Sequence, residues 1–86
     1  MRYRIELARE AKKFLDALRD AKLAGRFSKA IDSLSKNPRP QGCLKMQGGG
    51  ELYRIRVGDY RIIYEIRDAT LVVLVVKIGS RGDVYR

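Results

Sequence analysis

The chain has 86 residues, a length that supports one hydrophobic core and leaves no room for a second. Hydrophobic residues make up 45% of the chain and charged residues 34%, which excludes a disordered polyelectrolyte and favours a folded protein, so we expect a single domain spanning residues 1–86. The 19 Lys and Arg residues exceed the 10 Asp and Glu residues, and the net charge of +9 indicates a polyanionic partner such as nucleic acid, an anionic membrane or an acidic protein.

The cysteine and histidine content excludes several kinds of site. The chain contains one cysteine, Cys43, and no histidine, so an internal disulfide, a zinc site and a thiol nucleophile with a histidine partner are all excluded. We expect no metal and no cofactor. Nothing at the N-terminus resembles a signal peptide, and the apolar run from Leu71 to Val76 is too short to span a membrane as a helix. These features predict a protein of the reducing cytoplasm without a membrane-spanning helix, and we expect no membrane partner.

The first part of the chain predicts a strand followed by two helices. Apolar and charged residues alternate from Tyr3 to Leu7, which is typical of a strand with one buried face. Apolar residues then recur at helical spacing from Ala8, and this pattern predicts an amphipathic helix that ends around Gly25. A second helix is predicted from Arg26 to the Asn37-Pro38 pair, because the residue before proline disfavours the α region.

The second part predicts a meander of three strands. One irregular connection is expected from Asn37 to Glu51, because this segment is rich in proline and glycine. Leu52 to Val57, Tyr60 to Arg67 and Leu71 to Ile78 then read as antiparallel strands that are joined by tight turns. The predicted fold class is α+β, in the order βααβββ, with a helical hairpin packed on an antiparallel sheet.

The hairpin centred on Gly58 and Asp59 is the most informative segment. If these two residues form the loop, the strand pairs are Val57 with Tyr60, Arg56 with Arg61, Ile55 with Ile62, and Arg54 with Ile63. Arg54, Arg56 and Arg61 then share one side of the sheet, which we call the arginine face, while Tyr53, Tyr60 and Tyr64 lie in the core on the other side. Like charges directly opposite each other destabilise a sheet by up to about 1 kcal/mol. A bound anion such as phosphate would offset this cost, and the planar fork of arginine suits phosphate better than lysine does.

Three segments carry a resemblance to a known family. They are Leu44-Lys45-Met46, the run from Tyr53 to Glu65, and the segment from Lys77 to Arg86. Together they resemble the RelE/ParE toxins of prokaryotic toxin-antitoxin systems over essentially the whole chain. The resemblance implies a ribosome-associated endoribonuclease that cuts mRNA in the decoding site. It also implies a cognate RelB-like antitoxin as partner, with operator DNA bound only through the antitoxin complex.

The resemblance also implies roles for individual residues. Arg54 and Arg56 fall where relatives have basic residues at the scissile phosphate, and Arg61 falls on the arginine of a shared Tyr-Arg motif. Arg81 and Tyr85 match the basic residue and the tyrosine of the last motif. We therefore predict that these five residues are catalytic. We also predict three substrate-binding residues in the segments that carry the resemblance: Lys45, Lys77 and Ser80.

The predicted chemistry leaves the general base open. Attack by a 2′-hydroxyl builds negative charge on a phosphorane, which fixed guanidinium groups stabilise. Arginine is always protonated and is therefore a poor base, and Ser80 stands where many relatives carry histidine. The remaining candidates for the base are Tyr85, Lys45, Lys77, Glu51 or a group on the ribosome.

Two other functions stay open on the same fold. One is a ParE-like inhibitor of DNA gyrase, for which the arginine face would be a docking surface. The other is a catalytically weakened member that acts through antitoxin and DNA binding. Fold alone does not choose among these functions, because function depends on the site.

Overall fold

The computed structural model describes residues 2–46 and 51–80. A mixed five-stranded sheet carries two helices on one side. The elements are β1 (Arg4–Leu7), α1 (Arg9–Ala17), α2 (Ala21–Lys36), β2 (Leu44–Lys45), β3 (Leu52–Val57), β4 (Tyr60–Arg67), a 3-10 turn (Asp68–Thr70) and β5 (Val72–Ser80). The spatial order of the strands is β1-β5-β4-β3-β2.

The predicted α+β fold is confirmed, and the sheet differs from the prediction in two respects. First, β1 runs parallel to β5, so the sheet is mixed and not wholly antiparallel. The alternating pattern of β1 defines a buried face but carries no information about direction or partner. Second, the connection predicted as irregular contains β2, which pairs with β3 through Leu44 and Lys45. A two-residue strand is too short to produce a period in the sequence.

The boundary between the helices was predicted wrongly. The break falls at residues 18–20, and Gly25 lies exposed inside α2. Asp20 caps the second helix, because its Oδ1 atom accepts hydrogen bonds from the backbone N–H of Lys22 at 3.0 Å and of Leu23 at 3.2 Å. Such a cap is worth about 1 kcal/mol, which offsets the similar cost of a glycine within a helix.

The core lies between the helices and the inner side of the sheet. Phe27 packs edge to face against Phe14 and Tyr60, with ring centroids 5.4–5.6 Å apart. All three predicted core tyrosines lie on this side, as expected. The largest fully buried side chains are Tyr64, Phe27, Leu34, Ile62, Val73 and Val75. The helices therefore cover one side of the sheet and leave the other side available for a site.

The β3–β4 hairpin has the predicted register, from Val57 opposite Tyr60 to Arg54 opposite Ile63. Gly58 occupies the first loop position with φ +60°, a conformation that favours glycine there. The fifth strand begins at Val72 and not at Leu71, because Leu71 has φ +54° and closes the 3-10 turn.

A bulge interrupts the pairing of β4 with β5. Ile63 pairs with Lys77 and Tyr64 pairs with Val75, so β5 has one extra residue at this point. Ile78, beyond the bulge, therefore returns to the core. In the described part of the chain, neither helix combines the length and apolarity needed to cross a membrane.

Candidate functional site

The outer side of the sheet carries two rows of side chains that run across the strands. In the first row, Ile63 lies between Arg54 on β3 and Lys77 on β5. In the second row, Arg61 lies between Arg56 on β3 and Gly79 on β5. The predicted arginine face is therefore present, and Lys77 lies on the same side of the sheet.

A cleft of about 240 Å³ opens over this face. The residues that line it come from β3, β4 and the segment before β3. They are Gly42, Leu44, Arg54, Ile55, Arg56 and Arg61. Arg54 and Arg61 are half-buried and Arg56 is exposed, so all three side chains are at least partly accessible to solvent.

The charges of Arg56 and Arg61 are not neutralised within residues 2–46 and 51–80. Arg56 donates from Nε to the carbonyl oxygen of Gly58 at 2.9 Å, and Arg61 donates to the carbonyl oxygen of Tyr60 at 3.3 Å. The carboxylate of Glu65, on the same side of the sheet, pairs instead with Arg67. Two adjacent guanidinium groups without a described carboxylate partner have the charge and the hydrogen-bond donors that a phosphate-like anion requires.

The structure does not bring every predicted site residue onto this face. Lys45 pairs with Tyr53 in the sheet and therefore lies on the other side, where its Nζ atom is 3.5 Å from a carboxylate oxygen of Glu51. Ser80 pairs with Tyr60 and shares its side of the sheet, which faces the helices. Arg81 and Tyr85 lie outside the described residues.

A second polar cluster, centred on Arg39, holds the segment between α2 and β2. The guanidinium group of Arg39 donates to Asp68 at 2.9 and 3.3 Å and to the hydroxyl group of Tyr53 at 3.3 Å. Tyr3 donates its hydroxyl hydrogen to the same carboxylate at 2.6 Å. This cluster fixes the start of the segment that supplies Gly42 to the cleft. The members of this cluster are far apart in the chain and form no motif, so the sequence alone does not predict it.

The cluster shifts the pKa values of two of its members in opposite directions. Hydrogen bonds from Arg39 and Tyr3 hold the pKa of the Asp68 carboxyl below its usual range. The hydrogen bond to Asp68 raises the pKa of Tyr3 above its usual value. The cluster is therefore complete only when Asp68 is ionised and Tyr3 is protonated.

Asp68→Asn should destabilise the protein near neutral pH and have less effect on its stability at low and at high pH. A lowered carboxyl pKa stabilises the fold above the ordinary value of about 3.9, and this contribution is lost as pH falls through the lower folded-state value. A raised tyrosine pKa stabilises the fold below about 10, and this contribution is lost as pH rises through the higher folded-state value. Urea midpoints across this range would measure the difference between the two proteins. The control is Asp16→Asn, which removes one exposed ion pair with Lys12; a parallel profile for both variants would contradict the prediction.

Comparison with known proteins identifies the family. A family model described as the ParE toxin of type II toxin-antitoxin system, parDE, matches residues 5–85. The chain belongs to the RelE/ParE toxin superfamily. Among curated relatives of this RelE/ParE toxin, Toxin RelG of Mycobacterium tuberculosis is 28% identical over 86 residues, which cover 100% of this chain and 99% of RelG.

Two solved structures show the same fold as this RelE/ParE toxin. The RelE–RelB complex of Pyrococcus horikoshii matches with a TM-score of 0.82 and 33% identity, covering 96% of this chain and 99% of the matched chain. The intact RelBE toxin-antitoxin complex of Escherichia coli matches with a TM-score of 0.79 and 24% identity, covering 91% of this chain and 95% of the matched chain. The resemblance carried by the sequence motifs is thus confirmed at the level of family and fold.

Proposed function

We propose that this RelE/ParE toxin is a metal-independent endoribonuclease that cleaves mRNA on the ribosome, in the cytoplasm. The observation that carries this proposal is the placement of Arg56 directly opposite Arg61, in a cleft and without a described carboxylate partner. Such a pair lowers the stability of the free sheet. It suits a protein whose ligand brings the negative charge.

The proposed reaction is an attack of the RNA 2′-hydroxyl on the adjacent phosphorus. The bond from the 2′-oxygen to phosphorus forms, the bond from phosphorus to the 5′-oxygen breaks, and a proton passes to the departing 5′-oxygen. Negative charge builds on the non-bridging oxygens in the transition state. Arg54, Arg56 and Arg61 stabilise this charge, because the sheet holds their guanidinium groups in place before the substrate arrives.

Proton transfer requires a group other than these arginines, which stay protonated. Lys45 and Glu51 pair with each other on the other side of the sheet, away from the cleft. Lys77 lies on the same side of the sheet as the arginine face. It pairs with Ile63, in the row adjacent to the one that contains Arg61. We therefore retain Lys77 as the candidate from the described residues. Tyr85, with Arg81, completes the proposed catalytic set.

We also propose a RelB-like antitoxin as the cognate partner. The matched chains from Pyrococcus horikoshii and Escherichia coli were solved as complexes of RelE with RelB. The net charge of +9 favours an acidic partner segment, and apolar residues of that segment could cover exposed side chains such as Leu7 and Leu44. Operator DNA would then be bound through the complex only.

Induction of the toxin should produce mRNA 5′ ends that follow the reading frame. Cleavage on the ribosome restricts cuts to codons held in the decoding site, so the 5′ ends mapped after induction should show a three-nucleotide phase. Blocking translation initiation on one reporter mRNA should abolish its cuts, and Arg61→Ala serves as the inactive control. Unphased ends, or none, would contradict the proposal.

A ParE-like inhibitor of DNA gyrase is the second candidate function, because the matching family model is described as a ParE toxin. In that function the arginine face docks on protein and no RNA is cut. Inhibition of gyrase supercoiling by the purified toxin, together with intact mRNA after induction, would support this candidate over the first.

A further inference from the structure

A second basic cleft lies beside the arginine face, between α2 and the β3–β4 turn. Its volume is about 410 Å³, and its cations are Arg26, Lys29 and Arg56. Arg26 and Lys29 are three residues apart on α2 and therefore project from the same side of the helix. Gly58 lines the opposite wall. The cleft thus joins a helix to the tip of the hairpin that carries the arginine face.

The guanidinium group of Arg26 lies close to the glycine at this tip. Both terminal nitrogens of its guanidinium group lie 3.2 Å from the position that a Cβ atom on Gly58 would occupy. Arg26 therefore reaches from α2 across to the turn. Arg56, whose Nε atom donates to the carbonyl oxygen of Gly58, lines both clefts. A continuous basic strip runs from Arg61 through Arg56 to Arg26.

The charges in this cleft are not offset within the part of the chain that the structure describes. No carboxylate there lies within ion-pairing distance of Arg26, Lys29 or Arg56, and Asp32, further along α2, pairs with Lys36. Three convergent cations repel one another in the free protein. As at the arginine face, the ligand that relieves this repulsion must be an anion.

We propose that the second cleft binds another phosphate of the RNA strand whose scissile phosphate lies at the arginine face, with Arg56 between the two phosphates. This inference rests on the proposed function. A nucleic-acid strand supplies one phosphate per nucleotide along a continuous backbone, which matches a basic strip that links two clefts. An acidic protein segment fits less well, because the cleft has no exposed large apolar side chain in its lining.

The test compares two variants that lose the same charge. Arg26→Ala/Lys29→Ala removes the cations of the second cleft. Lys13→Ala/Arg19→Ala removes two exposed cations from outside both clefts and is the matched control. Binding would be measured by fluorescence anisotropy with 2′-O-methyl RNA, which the toxin cannot cleave. The probes would be a dinucleotide, whose single internucleotide phosphate can occupy one cleft at a time, and an oligonucleotide of about 16 nucleotides, at the upper end of single-strand site sizes.

Arg26→Ala/Lys29→Ala should weaken binding of the longer oligonucleotide about tenfold, and the slope of log K against log salt should become shallower by about 0.7 for each phosphate that the variant no longer neutralises. The dinucleotide should bind both variants alike, because its single phosphate is expected at the arginine face. If the alanine pair disturbs folding, Arg26→Gln/Lys29→Gln keeps the side-chain stems and must show the same change in slope.

Three outcomes would overturn the inference. Equal slopes of log K against log salt for the control and the test variant would mean that RNA binding depends only on the total charge of the protein. Unchanged RNA binding with weakened binding of an acidic antitoxin segment would make the second cleft a protein site. Equal losses on both oligonucleotides would mean that the two clefts are not separate. These outcomes are distinct from failure of the proposed function, which appears as undiminished mRNA cleavage by Arg61→Ala.

Discussion

Arg61→Ala should reduce the rate of ribosome-dependent mRNA cleavage by about 100-fold to 1,000-fold, the loss typical for removal of one preorganised transition-state donor. The stability of the free protein should not fall with the cleavage rate. Because Arg61 lies directly opposite Arg56, its removal relieves like-charge repulsion, and the free energy of unfolding should be unchanged or higher by up to about 1 kcal/mol. A thermal melt without nucleic acid and a cleavage assay with programmed ribosomes, on one preparation, measure both quantities.

Arg67→Ala is the matched control for this experiment. Arg67 lies on the same strand and the same side of the sheet, but at the far end of β4, where it pairs with Glu65. Its removal should leave the cleavage rate near that of the parent. A destabilised Arg61→Ala protein that still cuts RNA at the parent's rate would exclude the arginine face as the active site.

Phe27→Ala should lower the free energy of unfolding by about 3–5 kcal/mol, the usual cost of truncating a fully buried phenylalanine. Phe27 is 0% exposed, and its ring contacts both Phe14 and Tyr60, so one truncation leaves a cavity between the helices and the start of β4. For a domain whose total stability is of the order of 5–15 kcal/mol, this loss is a large fraction. Urea denaturation followed by circular dichroism measures it.

Phe27→Leu separates the aromatic contacts from the volume. The leucine keeps most of the buried apolar surface and loses the ring contacts, which are worth about 0.5–1.5 kcal/mol beyond burial. The Phe27→Leu protein should therefore unfold at a clearly higher urea concentration than the Phe27→Ala protein, and it should retain cleavage activity. Equal stability of the alanine variant and the parent would show that this cluster is not the centre of the core.

The pairing of β3 with β4, which creates the arginine face, could be predicted from the sequence because it depends on neighbouring residues only. Gly58 and Asp59 fix a two-residue loop, and a two-residue loop fixes every pair along both strands. The period of two then assigns the arginines to one side and the tyrosines to the other. No interaction with a distant part of the chain was needed for this part of the site.

Other features depend on interactions that local patterns do not report. Gly25 is a residue type typical of a helix end, but the cap at Asp20 decides where α2 begins. The parallel pairing of β1 with β5 joins the two ends of the described chain. In the Arg39 cluster, Asp68 is 29 residues from Arg39 and 65 residues from Tyr3, so the cluster forms only when the fold is complete.

The bulge in β5 allows one strand to supply apolar side chains to the core along its whole length and a lysine to the outer face, which strict alternation would not allow. Before the bulge, Val73 and Val75 face the helices, and an unbroken period of two would turn Lys77 inward as well. The extra residue reverses the phase, so that Ile78 fills the core and Lys77 stands beside the arginines. The charge on the outer face and the packing beneath it are thereby linked through the number of residues in this strand. An insertion or deletion there would exchange the two sides, whereas a substitution would change only one of them.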